Sequence, residues 1–212
     1  MLQLTNFRKP YDVQTIFSIP NLQLEQGVYW LKGENGSGKS TFLRSVAGII
    51  PFEGEITVHA VSLRKQRMQY TRDVFFAEAE PIFPSFLTGN DLINFYKEAK
   101  GENTTLADEL INFFRSEPYL KNKVATYSSG MIKKLSLVLA FIGQPKLVLL
   151  DEPFITLDVE AVRVLQDLIS ATSMQTSFII SSHQELVLER PYNVLEIQQQ
   201  TIIPTNHVLA FS

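Results

Sequence analysis

The sequence predicts an α/β fold in which a mainly parallel sheet is preceded by an antiparallel β-layer and interrupted by a helical subdomain. Three observations predict it. A β-prone run, Val28-Tyr29-Trp30-Leu31, leads into a glycine-rich loop that opens a helix. Two later runs, Leu147 to Leu150 and Ser177 to Ser182, are apolar without strict alternation, as in strands of a parallel sheet covered on both faces. Residues from about 82 to 145 change character and carry helical periodicity. Residues 1–212 therefore read as one domain, with residues 1–78 and 146–212 forming the α/β core and its β-layer.

Composition bounds the possibilities. Of 212 residues 45% are hydrophobic, enough for a sizeable core. No apolar run approaches the ~20 residues that span a bilayer, and the start MLQLTNFRKP lacks a signal-peptide core, which predicts a soluble, cytoplasmic protein. With no cysteine there are no disulfides and no thiolate metal sites. A net charge of −3 argues against a broad nucleic-acid-binding face.

Along the chain, Leu2-Gln3-Leu4, Val13 to Ile19 and Leu22-Gln23-Leu24 are short β-prone runs, punctuated by Pro10, Pro20 and Asn21. Tyr11 is expected in a turn, where it either stacks on an adenine base or is an ordinary half-buried tyrosine. Gly33-Glu34-Asn35-Gly36-Ser37-Gly38-Lys39-Ser40-Thr41 follows the first buried strand and meets the pattern G-x-x-x-x-G-K-[ST]. Its glycines bring bare amides against phosphate oxygens, Lys39 supplies charge to the β- and γ-phosphates, and the Ser40 hydroxyl is placed to ligate Mg²⁺. The helix it opens favours an anion at its N-terminus.

Gly54 to Val58 is a further strand, Leu63 to Thr71 a solvated basic connection, and Val74 to Ala77 a buried strand. Helices are expected over Thr88–Tyr96 and Thr105–Phe114, with Thr88 and Thr105 as N-caps. Phe83 and Phe86, in a loop with Pro81 and Pro84, are core residues or an exposed docking patch. Ser128-Ser129-Gly130 caps a helix from Met131 to Ile142. Asp151, ending the Leu147–Leu150 run, is expected in the crevice beyond the strand ends, able to hold Mg²⁺ with Ser40. Glu152 can order or deprotonate an attacking water, and His183, just past the second run, can hydrogen-bond the γ-phosphate. Val194–Ile197 and Thr201–Ile203 predict a closing hairpin.

Taken in order, these motifs resemble the ATP-binding subunits of ATP-binding-cassette (ABC) transporters over essentially the whole chain. The resemblance implies the ABC ATPase fold, a P-loop NTPase core with an antiparallel β-subdomain and an inserted helical subdomain. It implies ATP and Mg²⁺ as cofactors, and catalysis by Lys39, Glu152 and His183. The phosphate loop and Asp151 serve the same chemistry, Tyr127-Ser128-Ser129-Gly130-Met131 corresponds to the signature motif, Asp158 to the D-loop aspartate, and Tyr11 to the adenine-stacking aromatic.

As partners it implies a membrane-spanning transporter subunit on a separate chain and a second ATPase subunit in a homodimer or heterodimer, with no nucleic acid. The protein would then be cytoplasmic, peripheral on the inner face of the cell membrane through its membrane partner. Two departures stand out: the usual LSGGQ reads YSSGM, and the Q-loop glutamine falls at Ala79 or Glu80, neither of which is glutamine. Asp151 to Phe154 with Asp158 and His183-Gln184 resembles the haem-exporter ATPase of cytochrome c maturation. A soluble non-transport ABC ATPase and a weakly hydrolysing regulatory subunit are the alternatives.

Overall fold

A computed structural model describes residues 1–11 and 14–205. The first residue of the expected Val13–Ile19 run and the end of the 146–212 segment lie outside the described residues. The element order is β1 (Leu2–Tyr11), β2 (Gln14–Leu24), β3 (Val28–Lys32), α1 (Lys39–Val46), β4 (Glu53–Val58), β5 (Val61–Ser62), α2 (Arg67–Asp73) and β6 (Val74–Ala77). The helical stretch follows: α3 (Gly89–Lys100), α4 (Thr105–Phe113), α5 (Glu117–Leu120), a 3-10 turn (Val124–Thr126) and α6 (Ser129–Ala140). The chain returns to the sheet with β7 (Leu147–Asp151), α7 (Val159–Thr172), β8 (Ser177–Ser181), β9 (Asn193–Gln198) and β10 (Thr201–Thr205).

The first sheet, ordered β2-β1-β4-β5, is antiparallel. β1 and β2 run through the expected breaks. Pro20 is tolerated because β2 is the edge strand of this sheet and the register passes over it, from Thr5↔Asn21 to Phe7↔Ile19. Opposite it, Asn6 takes φ 49°, and this irregularity shifts the buried phase of β1 from Leu2 and Leu4 to Phe7 and Lys9.

The second sheet, ordered β10-β9-β3-β8-β7-β6, is parallel except for the β9–β10 hairpin. It has apolar clusters on both faces, which explains the unbroken apolar runs. Leu147 and Leu149 join a cluster with Phe7, Phe17, Phe42 and Leu43, under the antiparallel sheet and α1. Val148 and Leu150 join the opposite cluster with Leu135, Leu139 and Leu165, under α6 and α7.

Three expectations change. The basic stretch after Leu63 contains α2, because Tyr70 is wholly buried and its hydroxyl donates to Val46 O at 2.7 Å. The cap of α4 is Thr104 rather than Thr105, with its hydroxyl 2.7 Å from the Asp108 carboxylate. α7 was not anticipated, although Asp158 caps it and Ala161, Leu165, Leu168 and Ile169 recur at helical spacing on its buried face.

Candidate functional site

The glycine-rich loop leaves β3 and re-enters regular structure at Lys39, the first residue of α1. Gly38 has φ 102°, and a Cβ there would stand 2.9 Å from the buried Phe17 ring, so both backbone and packing require glycine. The loop is drawn over its own lysine: Lys39 Nζ donates to Gly33 O at 2.9 Å and Glu34 O at 3.2 Å. Ser37 Oγ is buried there without a hydrogen-bond partner.

Parallel pairing of β7 with β8 sets Asp151 beside Ser181. Ser181 Oγ donates to Asp151 Oδ1 at 2.6 Å and accepts from Glu152 N at 3.0 Å. Glu152 itself adopts φ 44°, a left-handed conformation uncommon for a non-glycine residue. His183 N donates to Glu152 Oε2 at 3.3 Å, and His183 Nε2 stands 3.4 Å from Oε1, outside hydrogen-bond geometry. That oxygen is buried and unsatisfied.

Asn35, Gly36, Gly38, Lys39, Ser40 and Thr41 line one cavity of about 280 Å³ together with Asp151, Glu152 and His183. Gly33, Glu34 and Ser37 line an adjoining cleft that shares Gly36 and His183 with it. Among the described residues no cluster of three His, Cys, Asp or Glu side chains forms a protein-only metal cage. The donor set still suits Mg²⁺, which binds through one or two protein oxygens completed by substrate phosphates and water. Ser40 and the buried Asp151 would supply those oxygens and Lys39 a cation, on the same cavity as the glycine-rich loop.

The other expected residues lie apart from this cavity. Ser128 and Ser129 are exposed at the start of α6, where Ser128 Oγ accepts from Met131 N at 3.3 Å. Gly130 packs close to Thr156 O. Asp158 caps α7 by accepting from Ala161 N at 2.8 Å and also accepts from Lys134 Nζ at 2.7 Å. The Lys134 hydrogen bond, then that from Ala161, holds its carboxyl below the usual carboxylate range. Tyr11 is 66% exposed at the end of β1 and lines neither cavity. It is not the half-buried turn residue of the bland expectation. Glu80 is exposed, and Ala79 contributes its carbonyl rather than a side chain.

Sequence reasoning missed Lys133 and the role of Ser181. Lys133 is 1% exposed, and its Nζ donates to Glu78 O at 2.9 Å, Ala79 O at 3.0 Å and Asp151 O at 3.3 Å. Burial pushes its ammonium down to about 8, against the opposing pull of Asp151, Glu152 and Glu80. The signal was present: Lys133 shares the helical spacing of the buried Ser136, Leu137 and Ala140.

The family profile described as ABC transporter matches residues 18–155, which include the phosphate loop, the start of α6 and Asp151-Glu152. The chain belongs to the ABC transporter family. Among curated proteins it is 28% identical over 199 residues to the uncharacterized ABC transporter ATP-binding protein YhcH of Bacillus subtilis, covering 90% of this chain and 65% of that one. It is 32% identical to the B. subtilis ABC transporter ATP-binding protein YtrB, over 91% of this chain and 67% of YtrB. The chain thus spans about two thirds of the length of these relatives.

Among solved structures, an ATP-binding subunit of an ABC transporter superposes with TM-score 0.86 at 22% identity, covering 97% of this chain and 89% of that one. The ATP-binding cassette MJ0796, solved as a dimer in a post-hydrolysis state with ADP and Pi, superposes with TM-score 0.77 at 17% identity over the full length of both chains. These likenesses establish the ABC ATPase fold.

Proposed function

We propose that this ABC protein binds and hydrolyses ATP and energises transport through a separate membrane subunit, by closing on a second ATPase subunit around the nucleotide. The observation that carries this reading is the convergence of Lys39, Ser40, Asp151, Glu152 and His183 on one cavity, with Ser128 and Ser129 exposed away from it. A phosphate bound by Lys39 in one subunit then has an unfilled side. The Ser128 hydroxyl and the first amides of α6 in a second subunit are suited to complete it. That MJ0796, a cassette of the same fold, was solved as a dimer with ADP and Pi supports a two-subunit reading.

Within a subunit, the loop amides and Lys39 hold the phosphates in line, which is most of what phosphoryl transfer asks of a protein. Ser40 and Asp151 would hold Mg²⁺, which would supply positive charge against the phosphate oxygens. Glu152 takes the proton of the attacking water: its Oε1 is buried and unsatisfied, and a water is a fitting partner. His183 hydrogen-bonds the γ-phosphate. Tyr11, exposed at the end of β1, is the aromatic that stacks on adenine in this reading.

The membrane partner docks near a groove of about 430 Å³ lined by Ile49, Phe75, Ile82, Phe83, Phe95 and Tyr96. Ile82 is 89% exposed there and Phe86, in the same loop, 70%. Among the described residues no helix is long and apolar enough to cross a membrane. Docking would place the protein on the cytoplasmic face through its partner. The test is size-exclusion chromatography with light scattering on Glu152→Gln. A dimer that forms with Mg·ATP and not without it is expected; a protein that binds Mg·ATP and stays monomeric removes the two-subunit mechanism.

A further inference from the structure

The Asp151–Glu152 peptide is held at both of its polar atoms. Its N–H donates to Ser181 Oγ at 3.0 Å, and its carbonyl accepts from Lys133 Nζ at 3.3 Å. Orientation of this peptide plane helps set the φ of 44° at Glu152, and so the direction in which the carboxylate leaves the backbone. A non-glycine residue persists in that region only where its surroundings over-determine it.

Lys133 also donates to Glu78 O and Ala79 O, just beyond β6, so all three protons of the ammonium are used on carbonyls. Glu78 in turn pairs through its carboxylate with Arg44 of α1 at 3.4 Å. A lysine only 1% exposed among carbonyls is costly where a leucine would fill the same helix face. What it holds accounts for a lysine at this position. One ammonium ties the helix that Ser128 caps, the segment leading into the Pro81–Leu87 loop and the strand end that leads into Glu152.

We propose that Lys133 is a positioning residue for hydrolysis: it fixes the Asp151–Glu152 peptide, aims the Glu152 carboxylate, and links that aim to the segment at Glu78 and Ala79. The proposal rests on the hydrolytic role of Glu152 given above. It supplies, through main-chain carbonyls, a link between the site and this segment that uses no side chain at Ala79 or Glu80.

The experiment is steady-state phosphate release by the full chain with Mg·ATP, for wild type, Lys133→Gln, Glu152→Gln and the double variant, with thermal melts of each. Lys133→Gln is expected to lower kcat about 10–100-fold, as for a group that orients a catalytic neighbour, with KM within roughly two-fold. Because Lys133 acts through Glu152, the double variant should be no slower than Glu152→Gln alone, within roughly two-fold. An unchanged kcat in Lys133→Gln, or a further loss of about ten-fold in the double variant, overturns the proposal. Should Lys133→Gln fail to fold, Lys133→Met, which keeps an apolar stem and removes the donors, is read by the same criteria. If neither folds, Lys133 is structural and the proposal fails. A wild type that hydrolyses no ATP overturns the hydrolytic reading itself, and the wild-type assay alone distinguishes that failure.

Discussion

Glu152 shows how the backbone sets the surroundings of a single side chain. Its conformation at φ 44°, the unsatisfied Oε1 and the nearby His183 belong to one local arrangement at the end of β7. Replacing the carboxylate by an amide keeps its shape and removes its basicity. Glu152→Gln should therefore lower kcat for ATP hydrolysis by about 10²–10⁴-fold, measured by phosphate release, while ATP binding by fluorescence titration is retained. Gly38 makes the complementary point about space. Gly38→Ala places a methyl against Phe17 at a φ of 102°. It should cost more than about 1 kcal/mol of stability in urea denaturation and weaken ATP binding together.

Elements in this chain are set by their ends as much as by their faces. Thr88 starts α3 with a reciprocal capping box: its hydroxyl accepts from Asp91 N at 3.1 Å, and its own N–H donates to Asp91 Oδ2 at 2.9 Å. Both residues were visible in the sequence, and Thr88 was legible as a cap. Thr88→Ala should destabilise the protein by about 0.5–2 kcal/mol, read from the urea midpoint, without changing KM for ATP. The cap of α4 was misplaced by one residue because Thr104 and Thr105 are chemically equivalent in sequence. Only the Thr104–Asp108 contact separates them. α2 escaped notice for a different reason. A basic surface stretch reads as a solvated connection unless one knows that Tyr70 turns inward under Val46 O.

At the scale of the molecule, the half-buried Lys100 and the buried Lys133 should make stability depend on pH. Lys100 at the end of α3 donates to Thr71 O and Val74 O and lies 4.2 Å from the Phe75 ring centroid, and burial pushes it down to about 8, as it does Lys133. In both, the folded value lies below the unfolded value of 10.5. From about pH 8 to about 10 the unfolded chain therefore binds more protons, and stability rises with pH. The urea midpoint should be higher at about pH 9.5 than at about pH 7.5. Lys100→Met should flatten part of that rise. An equal slope in the variant would remove Lys100 as a source.

The sequence by itself determined the sheet with two covered faces, the strand–loop–helix at Gly33 to Thr41 and the chemistry available at Asp151, Glu152 and His183. These are local facts: apolar periodicity, glycine spacing and residue type act within a few positions of one another. Tertiary structure decided what meets what. It placed Lys39, Ser40, Asp151, Glu152 and His183 on one cavity, left Ser128 and Asp158 outside it, and sent Lys133 inward to the Asp151 carbonyl. The physical reason is the order of the parallel sheet. β3, β8 and β7 are neighbours in space though far apart in sequence, so their carboxyl ends form a single crevice that no local pattern encodes.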